Sequence, residues 1–475
     1  MQKPDREGGC RFTAHPPSRS GFRSCDAVSC SQQTLVESSE LEDSVSPQIM
    51  EPFSFIHAAD LHLDTPFSGI GRVDQILQQT LKDASLIAFD NLIRAAIDQR
   101  VDFVLLAGDI YDGVEHGVRA QARFIKGMQD LAVHGIRCFF IHGNHDPIEE
   151  GWSALRPEDF PSSAVRFDQY DDVRAEPVER DGKIIAVVHG ISFREKVETR
   201  NLSLLFPDKL GARPFSIGLL HCNVGAQTGH GDYAPCTVDD LCSRGIDYWA
   251  LGHIHKRTVL SIDNPVILYP GNLQARRFDE CGPRGATLVK VDSYGNTKLE
   301  PLELDVVRFA QLDVDVDGRD SLEDILVESE IHTTTAIKEG KGRVLMARIV
   351  LHGRTDAHRD LLKAAASAEL LPAFCDRLQS DGFWLNAVSV RTTTLLDRDE
   401  VARSSGFEAA LVKLNDELLG SDDLTLEVLE HVKGPLLKRG QFDRFLSEFQ
   451  PTQAREILRR AESHLLGLLE TDSKS

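Results

Sequence analysis

The sequence predicts a layered α/β domain over residues 51–304, then a small α+β domain over 305–396 and a helical extension over 397–475. Three observations carry that expectation. From Phe53 to about Glu303, short apolar runs alternate with longer amphipathic stretches, the pattern of strands covered by helices. Beyond Asp305 alternating and helical segments follow one another without obvious chemistry, and from about Asp397 the chain turns polar and helix-forming. A length of 475 residues suits such a division, because single cores stop growing near ~250–300 residues.

Residues 1–50 come first and differ from the rest: they are rich in Ser, Pro, Arg and Glu, lack a hydrophobic period, and carry Cys10, Cys25 and Cys30 at no metal-binding spacing. A disordered tail is expected there. Met50 directly precedes the first strand-like run, so a second expectation is that translation begins at Met50 and residues 1–49 are not translated.

Phe53 to Ala58, Asp102 to Ala107, Cys138 to Ile141, Ser216 to Leu220 and Tyr248 to Leu251 read as buried strands. Between Val73 and Arg100, Ile76, Leu77, Leu81, Ala84, Leu92, Ile93 and Ala96 recur at helical spacing. Phe124, Ile125, Met128, Leu131 and Ala132 mark a second helix, with Gly135 as its stop. In the small domain, Phe309 to Val316, Val344 to Leu351 and Trp384 to Val390 read as strands, with helices near Leu322 to Glu330 and Asp360 to Leu378. In the extension, Leu424, Val428, Leu429 and Val432, then Ile457, Leu458, Ala461, Leu465 and Leu466, predict helices that either pack on their own domain or dock a partner.

Composition narrows the function classes. The net charge of −21 argues against a broad electrostatic surface for nucleic acid, so any such contact is local, metal-assisted or shared with a partner. Nine scattered cysteines without a C-x-x-C pair exclude a disulfide framework and a zinc knuckle, and predict reduced thiols. No apolar run reaches the ~18–20 residues that span a bilayer, and no apolar secretory core is seen, so a cytoplasmic protein without membrane contact is expected.

The chemistry sits at the ends of the predicted strands. Five of them run straight into potential metal ligands: Asp60 and His62, Asp109, Asn144 and His145, His221, then His253 and His255. In α/β sheets functional groups gather beyond the carboxyl ends of strands. Asp60 and His62, like His253 and His255, are one residue apart, so extended backbone would turn both side chains the same way. Gly108, Gly143 and Gly252 precede ligands where a tight turn is expected. Any one histidine is more often a satisfied core group than a ligand, and His57, His142 and His189 keep that reading. Joint placement reverses it for the others. A mixed oxygen and nitrogen set without thiolates suits Mn²⁺, Fe or Zn²⁺ better than Mg²⁺ alone, and manganese is the first choice.

The blocks D-x-H, G-D-I-Y-D, G-N-H-D, the isolated His221 and G-H-I-H resemble the calcineurin-like metallophosphoesterase superfamily. More closely, H-A-A-D-L-H-L-D, G-D-I-Y-D-G, Leu219 to Asn223 and Tyr269 to Arg277 resemble its DNA-repair exonuclease branch, which includes SbcD and YhaO-like proteins. The resemblance covers about residues 53–290. It implies a β-sandwich flanked by helices and two divalent metal ions that activate water for phosphodiester hydrolysis. Asp60, His62 and His255 would hold one ion and Asn144, His221 and His253 the other, with Asp109 between them. His145 would act on the departing oxygen, oriented by Asp112, and Gln274 and Arg276 would meet substrate.

It further implies a DNA exonuclease working in repair beside a coiled-coil ATPase subunit, and leaves room for a homodimer. Lys256, Arg257, Arg277 and Arg284 join Arg276 as candidate phosphate contacts, set against an ordinary solvated loop. A phosphatase or cyclic-nucleotide phosphodiesterase would use the same metal blocks. A non-catalytic scaffold is the reading from another class, opposed by the complete ligand set.

Overall fold

A computed structural model describes residues 50–469 apart from 69, 71–74, 113–116, 150–158, 209–213, 226–232, 396–397 and 438–450. The tail read over residues 1–50 lies outside the described residues except for Met50.

The first sheet takes β1 (Phe53–Ala58), β2 (Phe103–Ala107), β3 (Arg137–Ile141) and β4 (Ala164–Arg166), with α1 (Gln75–Gln99) after β1 and α2 (Val118–Val133) after β2. The chain then builds a second sheet from β5 (Arg174–Arg180), β6 (Lys183–Gly190), β7 (Phe215–His221), the short α3 (Val238–Cys242), β8 (Tyr248–Gly252), β9 (Thr258–Ile262) and β10 (Val266–Tyr269). It returns to the first through β11 (Gly285–Val291) and β12 (Thr297–Glu303). The strand orders are β12-β11-β1-β2-β3-β4 and β5-β6-β7-β8-β10-β9. The parallel strands are β1 to β4 in the first, bordered by antiparallel β11 on one side, and β6, β7, β8 and β10 in the second, bordered by antiparallel β5 and β9.

Phe53, Phe55, Phe103, Leu105 and Phe139 from the first sheet and Ile217, Leu219 and Tyr248 from the second fill the space between the sheets. Their strand neighbours Ile56, Val104, Leu106 and Phe140 face the other way, against Leu92, Phe124 and Leu131 of α1 and α2. Strands buried on both faces are apolar along most of their length, which is why the five central runs stand out in the sequence. Edge strands β5, β9 and β12, half-exposed along their lengths, carry no such run.

The remaining chain forms β13 (Val307–Asp315), α4 (Leu322–Glu339), β14 (Val344–Arg354), α5 (His358–Ala366), α6 (Leu370–Leu378) and β15 (Phe383–Thr393), followed by α7 (Arg398–Arg403), α8 (Phe407–Leu419), α9 (Asp422–Leu437) and α10 (Pro451–Leu469). β13, β14 and β15 make a parallel three-stranded sheet with β14 central. The single helix expected near Asp360 to Leu378 is two, broken where Ala368 adopts φ 60°. Val307, Phe309 and Met346 of this sheet pack against Leu77, Leu81 and Ala84 of α1 and Ala275, which seats the small sheet beside the loop that follows β10. The last helices pack on one another: Arg398 and Asn415 both bond the Glu462 carboxylate of α10. Phe407, Leu414 and Leu424 stay exposed.

Candidate metal centre

Because β1, β2, β3, β7 and β8 all lie in the parallel centres of the sheets, their carboxyl ends open on one side of the sandwich. There the chain brings together Asp60, His62, Asp109, Asn144, His145, His221, His253 and His255. Three overlapping groups, Asp60/His62/His255, Asp60/Asp109/His221 and His62/Asp112/His145, have donor atoms within 4.8 Å of one another.

The convergence is not made by extended backbone, as the one-residue spacings suggest. β1 ends at Ala58 and β8 at Gly252, and Asp60 (φ 52°), His62 (φ 41°), Asp109 (φ 50°) and His253 (φ 104°) all have positive φ. Side chains rarely adopt that region, and residues held there cost on the order of 1–3 kcal/mol each, so surrounding structure must hold them. Hydrogen bonds between the loops after β1 and β2 hold the first three, from Asp60 N to Gly108 O (3.1 Å), His62 N to Asp109 O (3.0 Å) and Leu63 N to Ile110 O (2.9 Å), and His253 N donates to Asp60 Oδ1 at 3.0 Å. Of the three glycines, Gly108 alone needs its dihedral freedom, at φ 86°. Gly143 and Gly252 serve close approach: a Cβ on the first would strike Asp109 and His221, and one on the second the Ala107 carbonyl.

The donor set is short of protons, as a cation site should be. His221 Nδ1–H donates to the Ala107 carbonyl at 2.9 Å, so its Nε2 lone pair faces Asn144 Oδ1 at 3.0 Å and Asp109 Oδ2 at 3.5 Å. His253 Nδ1 lies 3.2 Å from the same Asn144 oxygen. Opposite, His255 Nδ1–H donates to Glu280 Oε1 at 2.7 Å, which leaves its Nε2 lone pair 3.2 Å from His62 Nε2. The buried Nδ1 of His62 has no hydrogen-bond partner among the described residues. Burial pushes the Asp109 carboxyl up to about 7 and, with Asp109 beside it, drives Asp60 well above the usual carboxylate range. Burial holds His221 down to about 4 and His62 well below an ordinary histidine. Among the described residues no lysine or arginine ion-pairs with either aspartate. Buried carboxylates facing neutral imidazoles without a counter-cation fit a divalent metal ion.

His145 stands at the open side, a third exposed. Its N–H donates to Asp109 Oδ1 at 2.9 Å, while its ring Nδ1 meets Asp112 Oδ1 at 2.5 Å. The other Asp112 oxygen accepts from Arg276 Nη1 at 2.6 Å. Burial lowers the His145 ring, but the Asp112 hydrogen bond and the Asp109 charge outweigh it and leave the ring raised. Asp112 itself is held low: burial would raise it, and His145 and Arg276 prevail.

Gln274 is not among the groups brought to this cleft. Its buried amide donates to Val307 O (2.6 Å) and Ala275 O (2.9 Å) and accepts from Val306 N (2.8 Å) and Val307 N (3.2 Å), so both ends tie β13 to the loop. Arg284 likewise turns inward, onto the His255 and Cys281 carbonyls and Asn272 Oδ1. His57 is a core histidine bonded to Tyr248 and Leu251, its ring lowered by burial to about 3. Two further carboxylates support the site. Asp146 accepts from Gly143 N (2.8 Å) and Ile110 N (3.0 Å), joining the loops after β2 and β3, and Glu280 bonds His255 from 25 residues away.

Comparison with protein families matches residues 53–257 to the calcineurin-like phosphoesterases and 309–393 to the middle domain of metallophosphoesterase YhaO. The uncharacterized metallophosphoesterase YhaO of Bacillus subtilis (strain 168) is 32% identical over 420 residues, 87% of this chain and 97% of that protein. The chain belongs to the YhaO-like calcineurin-like metallophosphoesterases. It is also 25% identical over 250 residues, 50% of this chain and 60% of the relative, to the DNA double-strand break repair protein Mre11 of Sulfurisphaera tokodaii. A dimetal phosphatase from Danio rerio aligns with 52% of this chain and 98% of its own, at TM-score 0.31 and 12% identity. In this metallophosphoesterase no helix among the described residues is long and apolar enough to cross a membrane.

Proposed function

We propose that this metallophosphoesterase is a two-metal phosphodiesterase acting on DNA, an exonuclease of repair. The observation that carries the reading is the meeting of a buried, acceptor-rich floor with an open-sided His145–Asp112–Arg276 chain. Asp60, His62 and His255 would hold one ion, Asn144, His221 and His253 the other, with Asp109 serving both. When bound, two divalent ions, manganese in the first instance, supply Lewis-acid charge neutralisation at phosphorus and activate water.

The protein's own groups do the rest. Asp112 accepts the Nδ1 proton of His145 and so aims Nε2 outward, where it can stabilise or protonate the departing oxygen in an in-line displacement. Arg276 keeps Asp112 ionised and adds positive charge beside the place a phosphate would occupy. Support for DNA as the polymer comes from the similarity to Mre11, a DNA double-strand break repair protein. The small sheet beside the loop carrying Arg276 suits a unit that governs access to the cleft. A coiled-coil ATPase partner belongs to the same proposal.

Incubation with Mn²⁺ and labelled linear DNA, bis-p-nitrophenyl phosphate or p-nitrophenyl phosphate is the test. Release of nucleotides from DNA ends with turnover of the diester is expected. Turnover of the monoester alone would replace the nuclease with a phosphatase, and no turnover of any of the three would leave a scaffold.

A further inference from the structure

The two halves of the floor are oriented by different means. His221 takes its direction from a backbone carbonyl, which no substitution removes. His255 takes its direction from Glu280, only 4% exposed and reached through a loop that folds back on the strand end. Glu280 accepts at both oxygens: Oε1 from His255 Nδ1 (2.7 Å), Oε2 from Arg276 N (2.7 Å) and Asn272 Nδ2 (3.1 Å). The loop is bound to His255 a second time by Asn272 N donating to His255 O at 3.1 Å.

We propose that Glu280 is the positioning residue for one metal site alone: it holds the His255 proton on Nδ1, so that Nε2 presents a lone pair beside Asp60 and His62. The same carboxylate anchors the backbone of Arg276 and thereby joins that half of the floor to the Arg276–Asp112–His145 chain. Partners that fix a ligating histidine's tautomer typically contribute 10–100-fold to metal affinity. This inference rests on the assignment of Asp60, His62 and His255 to one ion.

Glu280→Gln isolates the effect. A carboxylate offers two acceptor oxygens, whereas an amide offers one oxygen and an NH₂ donor. If the NH₂ meets His255, Nδ1 must accept and the proton moves to Nε2. If the oxygen meets His255, the NH₂ faces the N–H groups of Arg276 and Asn272. Either way the site for one ion is impaired, and the His221 half is untouched.

The test is calorimetry of the metal-free full-length protein with Mn²⁺, alongside thermal melting without metal. Wild type is expected to bind two ions. Glu280→Gln should keep one at wild-type affinity and weaken the other by about 10–100-fold, with Glu280→Asp, which retains both acceptors, recovering part of the loss. Two ions bound as tightly as in wild type, or an equal weakening of both, would reduce Glu280 to a knot in the loop and overturn the proposal. Fewer than two ions on wild type would instead overturn the two-metal reading beneath it. Should Glu280→Gln melt far below wild type, Asn272→Ala, which loosens the loop but spares the His255 pair, decides: it must keep both ions, and selective loss of one there would credit the loop and sink the proposal.

Discussion

The floor and the rim of the cleft are built on opposite principles. On the floor, Asp60, Asp109, His62 and His221 are almost wholly buried, sit partly on positive-φ backbone, and present more lone pairs than protons. At the rim, Arg276, Asp112 and His145 form a hydrogen-bonded chain, satisfy one another, and remain partly exposed. Charge is costly to bury without compensation, so the floor is completed only by a cation, whereas the rim is balanced and stands ready for a substrate. Substitutions on the floor should therefore register in metal content and those at the rim in rate.

The largest effect expected is on the floor. Asp109→Asn should lose both ions together and with them all measurable turnover; elemental analysis after gel filtration checks this, and two ions retained would remove Asp109 from its shared place. At the rim, His145→Ala should lower kcat by about 10²–10⁴-fold with metal content near normal. Loss of metal in that variant would move His145 to the floor.

The pH dependence separates the regions without mutation. Asp109, raised to about 7 by burial, binds its proton more tightly folded than unfolded, as does Asp60. In metal-free protein the folded state thus gains from these groups below the ordinary carboxylate range near 4, and loses that gain as pH rises towards about 7. His62 and His221, held neutral by burial, act in the opposite sense over the same range, so the carboxylate contribution is read as a difference: metal-free Asp109→Asn should lack the loss of stability that Asp109 contributes between about 4 and 7, and Mn²⁺, which would hold Asp109 ionised, should change the wild-type profile. Identical profiles with and without metal would break the distinction.

Smaller effects sharpen it. Arg276→Ala should slow turnover about tenfold, equivalent to ~1.4 kcal/mol, without changing metal content. Gln274→Ala, which strips four hydrogen bonds from a buried amide, should destabilise the fold by about 1–3 kcal/mol and leave hydrolysis of a small diester unchanged. A large rate loss without loss of stability would restore Gln274 to the substrate.

Much of this architecture is legible in the chain. Phe53 to Ala58 is legible to the residue because β1 is covered on both faces, so apolar residues stand on each, interrupted only by Ser54 and the core His57. β5, R-A-E-P-V-E-R, was not, because an edge strand needs only one buried side. The placement of Asp60, Asp109, Asn144, His221 and His253 followed from their position just after apolar runs, but the reason for their convergence was misread. Loop backbone at positive φ turns Asp60, His62, Asp109 and His253 inward, held by bonds between loops that no local pattern encodes, whereas His221 points in from the last residue of β7. Arg284 resembles a phosphate contact by residue type, and its tertiary surroundings turn it onto the carbonyls of His255 and Cys281.

By itself, the sequence determined which strands are central and which donors stand at their ends, since burial on two faces and the residue after a strand are both local properties. The tertiary structure alone decided how those donors are oriented. Glu280 meets His255 across 25 residues, Arg276 meets Asp112 across 164, and His253 meets Asn144 across 109. Hydrogen bonds select partners by distance in space, and only the packing of two sheets and a loop brings such residues within reach.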